Sequence, residues 1–251
     1  MSFLAALKFL TIIRMPRWRE VTPEHLAHST GFFPLVGIII GLILAGSYWL
    51  LHHVLPWSVV SGLLLVGVAV LSGALHLDGF IDTFDGIGGH KPSQARRRVM
   101  RDSRAGAFGI VSVVFLLLVK YLSLSSVPES LVMPTLILMP TISRWAMTYA
   151  IFAYPYARPA GLGTVFKRGT DWRRLLLASG IALAAVIPLF RWAGLVIMLG
   201  VWLIALAMAS YLKDKFAGLT GDTYGAINEV TEVAVLILAC LLAHNQWLGL
   251  A

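Results

Sequence analysis

Apolar runs separated by connections that alternate between basic and nearly uncharged constrain this chain more than any other feature. Runs near the ~20 residues needed to cross a bilayer fall at about 31–51, 58–77, 108–126, 131–153, 174–190, 192–210 and 231–250. The fifth is short, and only Phe190-Arg191-Trp192 joins it to the sixth, so that pair reads as a tight hairpin or a re-entrant element. Charged residues are 13% of the 251 and hydrophobic residues 58%, whereas an ordinary soluble domain carries roughly a quarter charged. A globule of this size cannot hide so much apolar surface. The predicted fold is all-α: a single polytopic membrane-embedded bundle over residues 1–251, with about seven transmembrane helices in a range of six to eight.

Lys and Arg cluster in every second connection. They precede the first run (Lys8, Arg14, Arg17, Arg19) and lie between the second and third (Lys91, Arg96, Arg97, Arg98, Arg101, Arg104). They recur between the fourth and fifth (Arg158, Lys167, Arg168, Arg173, Arg174) and between the sixth and seventh (Lys213, Lys215). The remaining connections hold Arg191 alone. Positive charge favours the cytoplasmic side, so the N-terminus and the long loops are expected there, in the inner (cytoplasmic) membrane. This topology accounts for most of the net charge of +8; without a basic, aromatic-interleaved soluble domain, nucleic-acid binding is not expected. Met1–Ile13 is apolar but carries Lys8 and lacks a small-residue cleavage site, so it reads as a short interfacial helix rather than a signal peptide. Thr22-Pro23-Glu24 marks a helix start. The single cysteine, Cys240, excludes a disulfide framework and reads as a small buried hydrophobe.

Three polar clusters interrupt this apolar pattern. The first is His76-Leu-Asp-Gly-Phe-Ile-Asp-Thr-Phe-Asp-Gly86, after an uncharged stretch from Gly62 to Leu75. At helical pitch Asp78, Asp82 and Asp85 share one face, where like charges repel. A divalent cation relieves that repulsion, and Mg²⁺ in particular takes a few carboxylates plus substrate phosphates. Gly79 and Gly86, on an adjoining stripe, let a ligand approach the backbone. His76 lies off that face and reads as a supporting group or proton carrier. A solvated acidic loop would explain the charges but not their common phase. The second cluster runs from Arg96 to Gly106, where Arg97, Arg101 and Arg104 repeat the same phase with groups suited to phosphate. Asp102 or Ser103 is a candidate cap for the third span.

The third cluster, Gly218 to Glu232, carries Asp222, Glu229 and Glu232 into the last apolar run. Acidic residues at a membrane edge suit a metal or a basic substrate group, or else the dipole of the last helix. The stretch Pro159 to Gly169, with Gly161, Gly163 and Lys167, either cradles a nucleotide or simply turns. Arg144, inside an apolar run, needs an anionic partner, and Lys120 reads as snorkelling. An acidic metal face and a basic face in one connection point to a diphosphate ester held through metal and arginine.

These motifs resemble the cobalamin 5′-phosphate synthase family, the adenosylcobinamide-GDP ribazoletransferases. The matching pieces are Phe33-Pro-Leu-Val-Gly-Ile-Ile-Ile-Gly41, His76 to Gly86, Met100-Arg-Asp-Ser-Arg-Ala-Gly106, Gly161-Leu-Gly-Thr-Val-Phe166, and Thr220-Gly-Asp-Thr-Tyr-Gly-Ala226 with Glu229 and Glu232. They cover nearly the whole chain in the family's order. Ile12-Ile13-Arg14-Met15 and Pro159-Ala160 depart from its pattern. The resemblance implies an Mg²⁺-dependent membrane transferase joining adenosylcobinamide-GDP to α-ribazole or its 5′-phosphate and releasing GMP. On that reading Asp78 and Asp82, with Asp85, bind metal. Asp85 or His76 accepts the hydroxyl proton, Arg101 and Arg104 hold the diphosphate, and Asp222 and Glu229 complete the pocket. Homo-oligomerisation and docking of other late-pathway enzymes stay open. Two alternatives share parts of this chemistry. A CDP-alcohol phosphotransferase would show an Asp-Gly-x-x-Ala-Arg run, but Phe80-Ile81-Asp82-Thr83 follows Gly79. A divalent-cation transporter would need acids at mid-span.

Overall fold

A computed structural model describes residues 1–14, 21–89, 92–100, 102 and 104–245. All the regular elements among them are helical: α1 (Ser2–Leu10), α2 (Pro23–Ala27), α3 (Phe33–Leu51), α4 (Trp57–Leu71), α5 (Leu75–Ile87), α6 (Ser93–Val99), α7 (Ala107–Ser125), α8 (Glu129–Ala153), α9 (Leu162–Gly169), α10 (Trp172–Phe216) and α11 (Gly221–His244). A 3₁₀ turn, Ser29–Phe32, leads into α3. Thr22 caps α2 as its sequence suggests, accepting from the His25 amide.

Five helices are long and apolar enough to cross a membrane, and α4 and α5 pass the same test as a pair bent by 89°. This is a multi-pass membrane bundle. Helix α10 breaks at Arg191, whose φ of 52° and ψ of −135° no α-helix accommodates. Beyond the break Gly194 lies against Val186 and Phe190, so the chain doubles back. Both limbs pack on α8: Trp145 Nε1 donates to Ser179 Oγ at 2.9 Å, and the Tyr149 ring meets Trp202 with centroids 5.9 Å apart. The short Phe190-Arg191-Trp192 connection is therefore a helical hairpin. Counting its limbs separately and the bent pair once gives the seven passages read from the apolar runs.

Helix α8 is the axis of the bundle, buried along most of its length although Pro134 and Pro140 interrupt its hydrogen-bond ladder. Prolines are tolerated in membrane helices because neighbouring helices re-satisfy the freed groups. Helix α3 runs against it through Gly37 and Gly41, a Gly-x-x-x-Gly pair that lets two backbones approach closely. A Cβ on Gly41 would lie 2.5 Å from Ile137 Cα. The outward faces stay apolar: on α7, Val111, Val114, Phe115, Leu118 and Leu122 are all exposed at helical spacing. Lipid, not water, is the solvent for that stripe.

Two boundaries differ from the sequence expectation. The second run does not continue as one helix to Leu77. Gly73 and Ala74 adopt left-handed backbone (φ of 60° and 55°), and α5 starts anew. The Ile12 amide donates to Leu71 O at 2.9 Å, fastening the end of α1 to this corner. The last helix begins at Gly221, ten residues before the apolar run, because the Thr220–Thr223 capping box fixes its start. A polar first turn is invisible to hydropathy.

Replacing Gly41 by Val should drive α3 off α8 and lower the melting temperature in detergent, a loss of about 1–3 kcal/mol for overpacking. Gly46→Val, at a position with open space around it, serves as the control and should lose much less.

Candidate active site

The corner at Gly73-Ala74 aims α5 across the N-terminal end of α11. A Cβ on Gly79 would lie 2.8 Å from the Asp222 carbonyl oxygen and 2.9 Å from its Cα. Gly79 thus serves helix packing, not direct clearance for a ligand, and that packing carries Asp78 and Asp82 to the start of α11. Asp82 experiences the negative charge of Asp78, then Asp222, then Asp85, and the positive charge of Arg158. Arg158 Nη2 donates to Asp222 Oδ2 at 3.1 Å. The acidic site is therefore built from two helices, Asp78 and Asp82 on α5 and Asp222 on α11, with one arginine across from them.

Asp85 departs from its expected role. Its two oxygens accept the amides of Gly106 at 2.6 Å and Gly109 at 2.8 Å. It caps α7, the task assigned from sequence to Asp102 or Ser103, so its carboxylate is already engaged by backbone donors. Gly86 is likewise a packing position, against Met100 and Phe216.

Beside the acids lies a cavity of about 320 Å³. Its buried lining is largely apolar, with Phe33, Met147, Ile151 and Phe166, but includes His76 and Tyr224, whose Nε2 and hydroxyl lack partners among the described residues. Asp78, Asp222 and Arg158 line its more exposed end, where the Arg158 and Asp222 side chains keep 23% and 26% exposure. The N-terminal turns of α9 and α11 form part of the wall, through Gly161 to Gly163 and through Gly221 and Asp222. Free amides and the positive dipole end at such turns attract anions. The Tyr156 hydroxyl meets the backbone of both turns, at Gly221 and Gly163, and burial raises its phenol above the ordinary value. Gly161 starts α9 with a φ of 121° that favours glycine, and Gly163 lies directly on the Tyr156 ring. These glycines shape the rim. Lys167 does not line it: its ammonium donates to Ile151 O at 3.0 Å and Phe152 O at 2.6 Å, closing the last turn of α8.

His76 lines the cavity from the start of α5, buried, with Nε2 lacking a hydrogen-bond partner among the described residues. Behind it lies a second charged group. Lys120 Nζ donates to Glu229 Oε2 at 2.5 Å and Glu232 Oε2 at 2.6 Å. Arg144 Nη1 donates to Glu232 Oε1 at 3.0 Å. Two cations face two carboxylates, all nearly inaccessible. Lys120 does not snorkel. Glu229, Glu232 and Arg144 do not line the cavity; with Lys120 they knot α7, α8 and α11 together.

The basic cluster is also reassigned. Helix α6 ends at Val99 and α7 starts at Ala107, so Arg97 and Arg104 share no helical face. Arg97 donates to Phe216 O at the end of α10, and Arg96 to the Gly86 and Ile87 carbonyls at the end of α5. Arg104 is exposed and paired with Asp102 at 3.0 Å. Arg101, like Arg17, Arg19 and Lys91, lies outside the described residues. The site residues that sequence reasoning missed are Arg158, Tyr156 and Tyr224. In the sequence Arg158 looks like any positive-inside charge, and its place before Pro159-Ala-Gly-Leu-Gly163 was the only available signal.

Among the described residues no group of three or more His, Cys, Asp or Glu side chains is placed to hold a metal ion. An open site with carboxylates on one side and room for substrate on the other is what Mg²⁺ uses, since it retains waters and phosphate oxygens. Asp78 and Asp222 on the cavity wall, with Asp82 close enough to feel both charges, are carboxylates of the kind such a site draws on.

A family model described as cobalamin-5-phosphate synthase matches residues 2–240. The adenosylcobinamide-GDP ribazoletransferase of Syntrophobacter fumaroxidans is 38% identical over 243 residues, 94% of this chain and 97% of that protein. Its counterpart in Desulforamulus reducens is 35% identical, covering 96% of each chain. That of Roseiflexus sp. is 33% identical over 97% of this chain and 91% of its own. No solved structure matches the chain.

Lys120→Met should strand two buried carboxylates against one arginine and destabilise the bundle by about 3–5 kcal/mol. Lys120→Met combined with Glu229→Gln restores charge balance and should recover much of that loss, as read by thermal unfolding in detergent.

Proposed function

The chain belongs to the cobalamin-5-phosphate synthase family, and from that premise we propose how its site works: it moves the adenosylcobinamide-phosphate group of adenosylcobinamide-GDP to α-ribazole or its 5′-phosphate and releases GMP. The observation that carries this reading is the meeting of Asp78, Asp82 and Asp222 beside Arg158, at a cavity walled by two helix N-termini. Carboxylates hold a cation, while an arginine and free amides hold phosphate oxygens. A diphosphate ester needs both.

In the transfer, the ribazole 3′-hydroxyl oxygen attacks the phosphorus nearest cobinamide. The bond from that phosphorus to the bridging oxygen breaks, and GMP leaves with the electron pair. On this reading Arg158 and the N-terminal turns of α9 and α11 hold the non-bridging oxygens. The hydroxyl proton passes to one of the carboxylates at the site; Asp85 is tied to α7, and His76, buried beside Arg144 and Lys120, is poorly placed to take up a positive charge. Asp78 and Asp82, with Asp222, would bind Mg²⁺, which supplies charge neutralisation on the transferring group. No covalent intermediate on the protein is required.

Orientation follows the alternation of charge. The face that carries the site also carries Arg96 to Arg98, Arg104, Arg158, Lys167 and Arg168, so it faces the cytoplasm, and the bundle resides in the inner membrane. A transporter would use intramembrane acids as ion ligands; here Glu229 and Glu232 are matched by Lys120 and Arg144.

Asp78→Asn should lower GMP release from adenosylcobinamide-GDP at least a hundredfold in protein that still inserts and melts like wild type. Asp85→Asn should lower the melting temperature as well, because it unties α7. Chelation of divalent cations should stop wild-type turnover and added Mg²⁺ restore it. Near-normal GMP release by Asp78→Asn would refute the site.

A further inference from the structure

The cavity is polarised and small, and that combination decides which of two very unequal substrates enters it. At about 320 Å³ it lies near the lower end of the 300–1,000 Å³ of small-molecule pockets. A corrin macrocycle with its side chains and a nucleotide tail does not fit that space. A single nucleoside-sized molecule does.

The inner wall has a definite chemistry. Phe9, Phe33 and Phe166 form an aromatic cluster, with ring centroids 4.7 Å apart for Phe9–Phe166 and 5.8 Å for Phe33–Phe166. Met147 and Ile151 of α8 complete the buried end. Sulfur and aromatic edges favour a flat, apolar ring system. The opposite end is polar, lined by Asp78, Asp222 and Arg158, and suits the hydroxylated part of a molecule rather than its apolar ring. Apolar ring inside and hydroxylated sugar toward the acids is the layout of a benzimidazole riboside. A diphosphate at the buried end would meet mostly apolar side chains and rings, with His76 and Tyr224 as the polar groups among them and no cationic side chain.

We infer that this cavity is the acceptor subsite. The heteroaromatic base of the riboside inserts among Phe9, Phe33, Phe166, Met147 and Ile151, with its ribose directed toward the acidic end where transfer takes place. The corrinoid donor stays outside and presents only its diphosphate at the Arg158 end. The size of the base is then read by α8 and the aromatic cluster, independently of the donor. This rests on the transferase reading above and assigns each substrate its place.

The test uses the full-length protein in lipid nanodiscs, with GMP release measured while each substrate is varied in turn. Two acceptors are compared, the dimethylbenzimidazole α-riboside and an α-riboside whose base carries a third fused ring. Wild type should discriminate against the larger base. Met147→Ala opens the buried end and should raise kcat/KM for the larger base, relative to the smaller, about tenfold or more. The KM for adenosylcobinamide-GDP should stay within twofold. Phe9→Leu, on the partly buried side, gives a second reading should the α8 variant fold poorly; it should raise the KM for the smaller acceptor and leave the donor KM alone. A shift in donor KM with an unchanged acceptor ratio would assign the cavity to the donor and overturn the inference, leaving the transferase reading intact. Wild type that releases no GMP with either acceptor would overturn both.

Discussion

The bundle depends on a charge-balanced knot within its apolar interior. Lys120, Arg144, Glu229 and Glu232 come from three helices and are all buried. In a low-dielectric surrounding none of them could stand alone. Each helix can therefore adopt only the rotation and depth that bring its charge to the others. Apolar packing between lipid-exposed helices is permissive about register; ionic satisfaction is not. Helix α11 is fixed by two of the four groups, and its first turn carries Asp222. His76 on α5 feels the charge of the same knot. The position of the acids at the cavity thus traces back to groups that never touch it.

A second level of order comes from residues that close helix ends. Asp85 caps α7, Lys167 and Arg96 close the last turns of α8 and α5, and Arg97 reaches the end of α10. In a membrane protein such ends lie where water thins out, so unsatisfied backbone groups weigh heavily. Arg96, Arg97 and Lys167 are thus engaged by backbone carbonyls, whereas Arg158 pairs with Asp222 at the acids.

The sequence revealed much of this, unevenly. Span number, class and the identity of the acidic motif follow from hydropathy, charge alternation and the Asp78–Asp82–Asp85 phase. Those signals are local or periodic. What it concealed is non-local. Nothing near Asp85 announces that its partners are amides more than twenty residues on. Nothing around Lys120 distinguishes snorkelling from pairing with acids on another helix. The row of Arg97, Arg101 and Arg104 assumed one helix through Met100 to Gly106, and the end of α6 at Val99 removes that premise. The Arg144 partner was inferable in kind, because a buried guanidinium must meet an anion, but not by name.

One small feature has a mechanical meaning. Tyr156 and Leu219 form an isolated parallel bridge, with Ala157 N donating to Leu219 O and Leu219 N to Pro155 O, both at 2.8 Å. These bonds staple the connection before α9 to the one before α11, so the two walls that meet there behave as a single backbone piece. Gly218, with a φ of 122°, sits tight against Ala157 and leaves that junction no slack. At the other margin α1 and α9 meet through side chains such as Phe9 on Phe166. The chamber thus has one margin closed by backbone bonds and another closed by side chains, with α1 held in place by its own buried residues and by the Ile12–Leu71 bond.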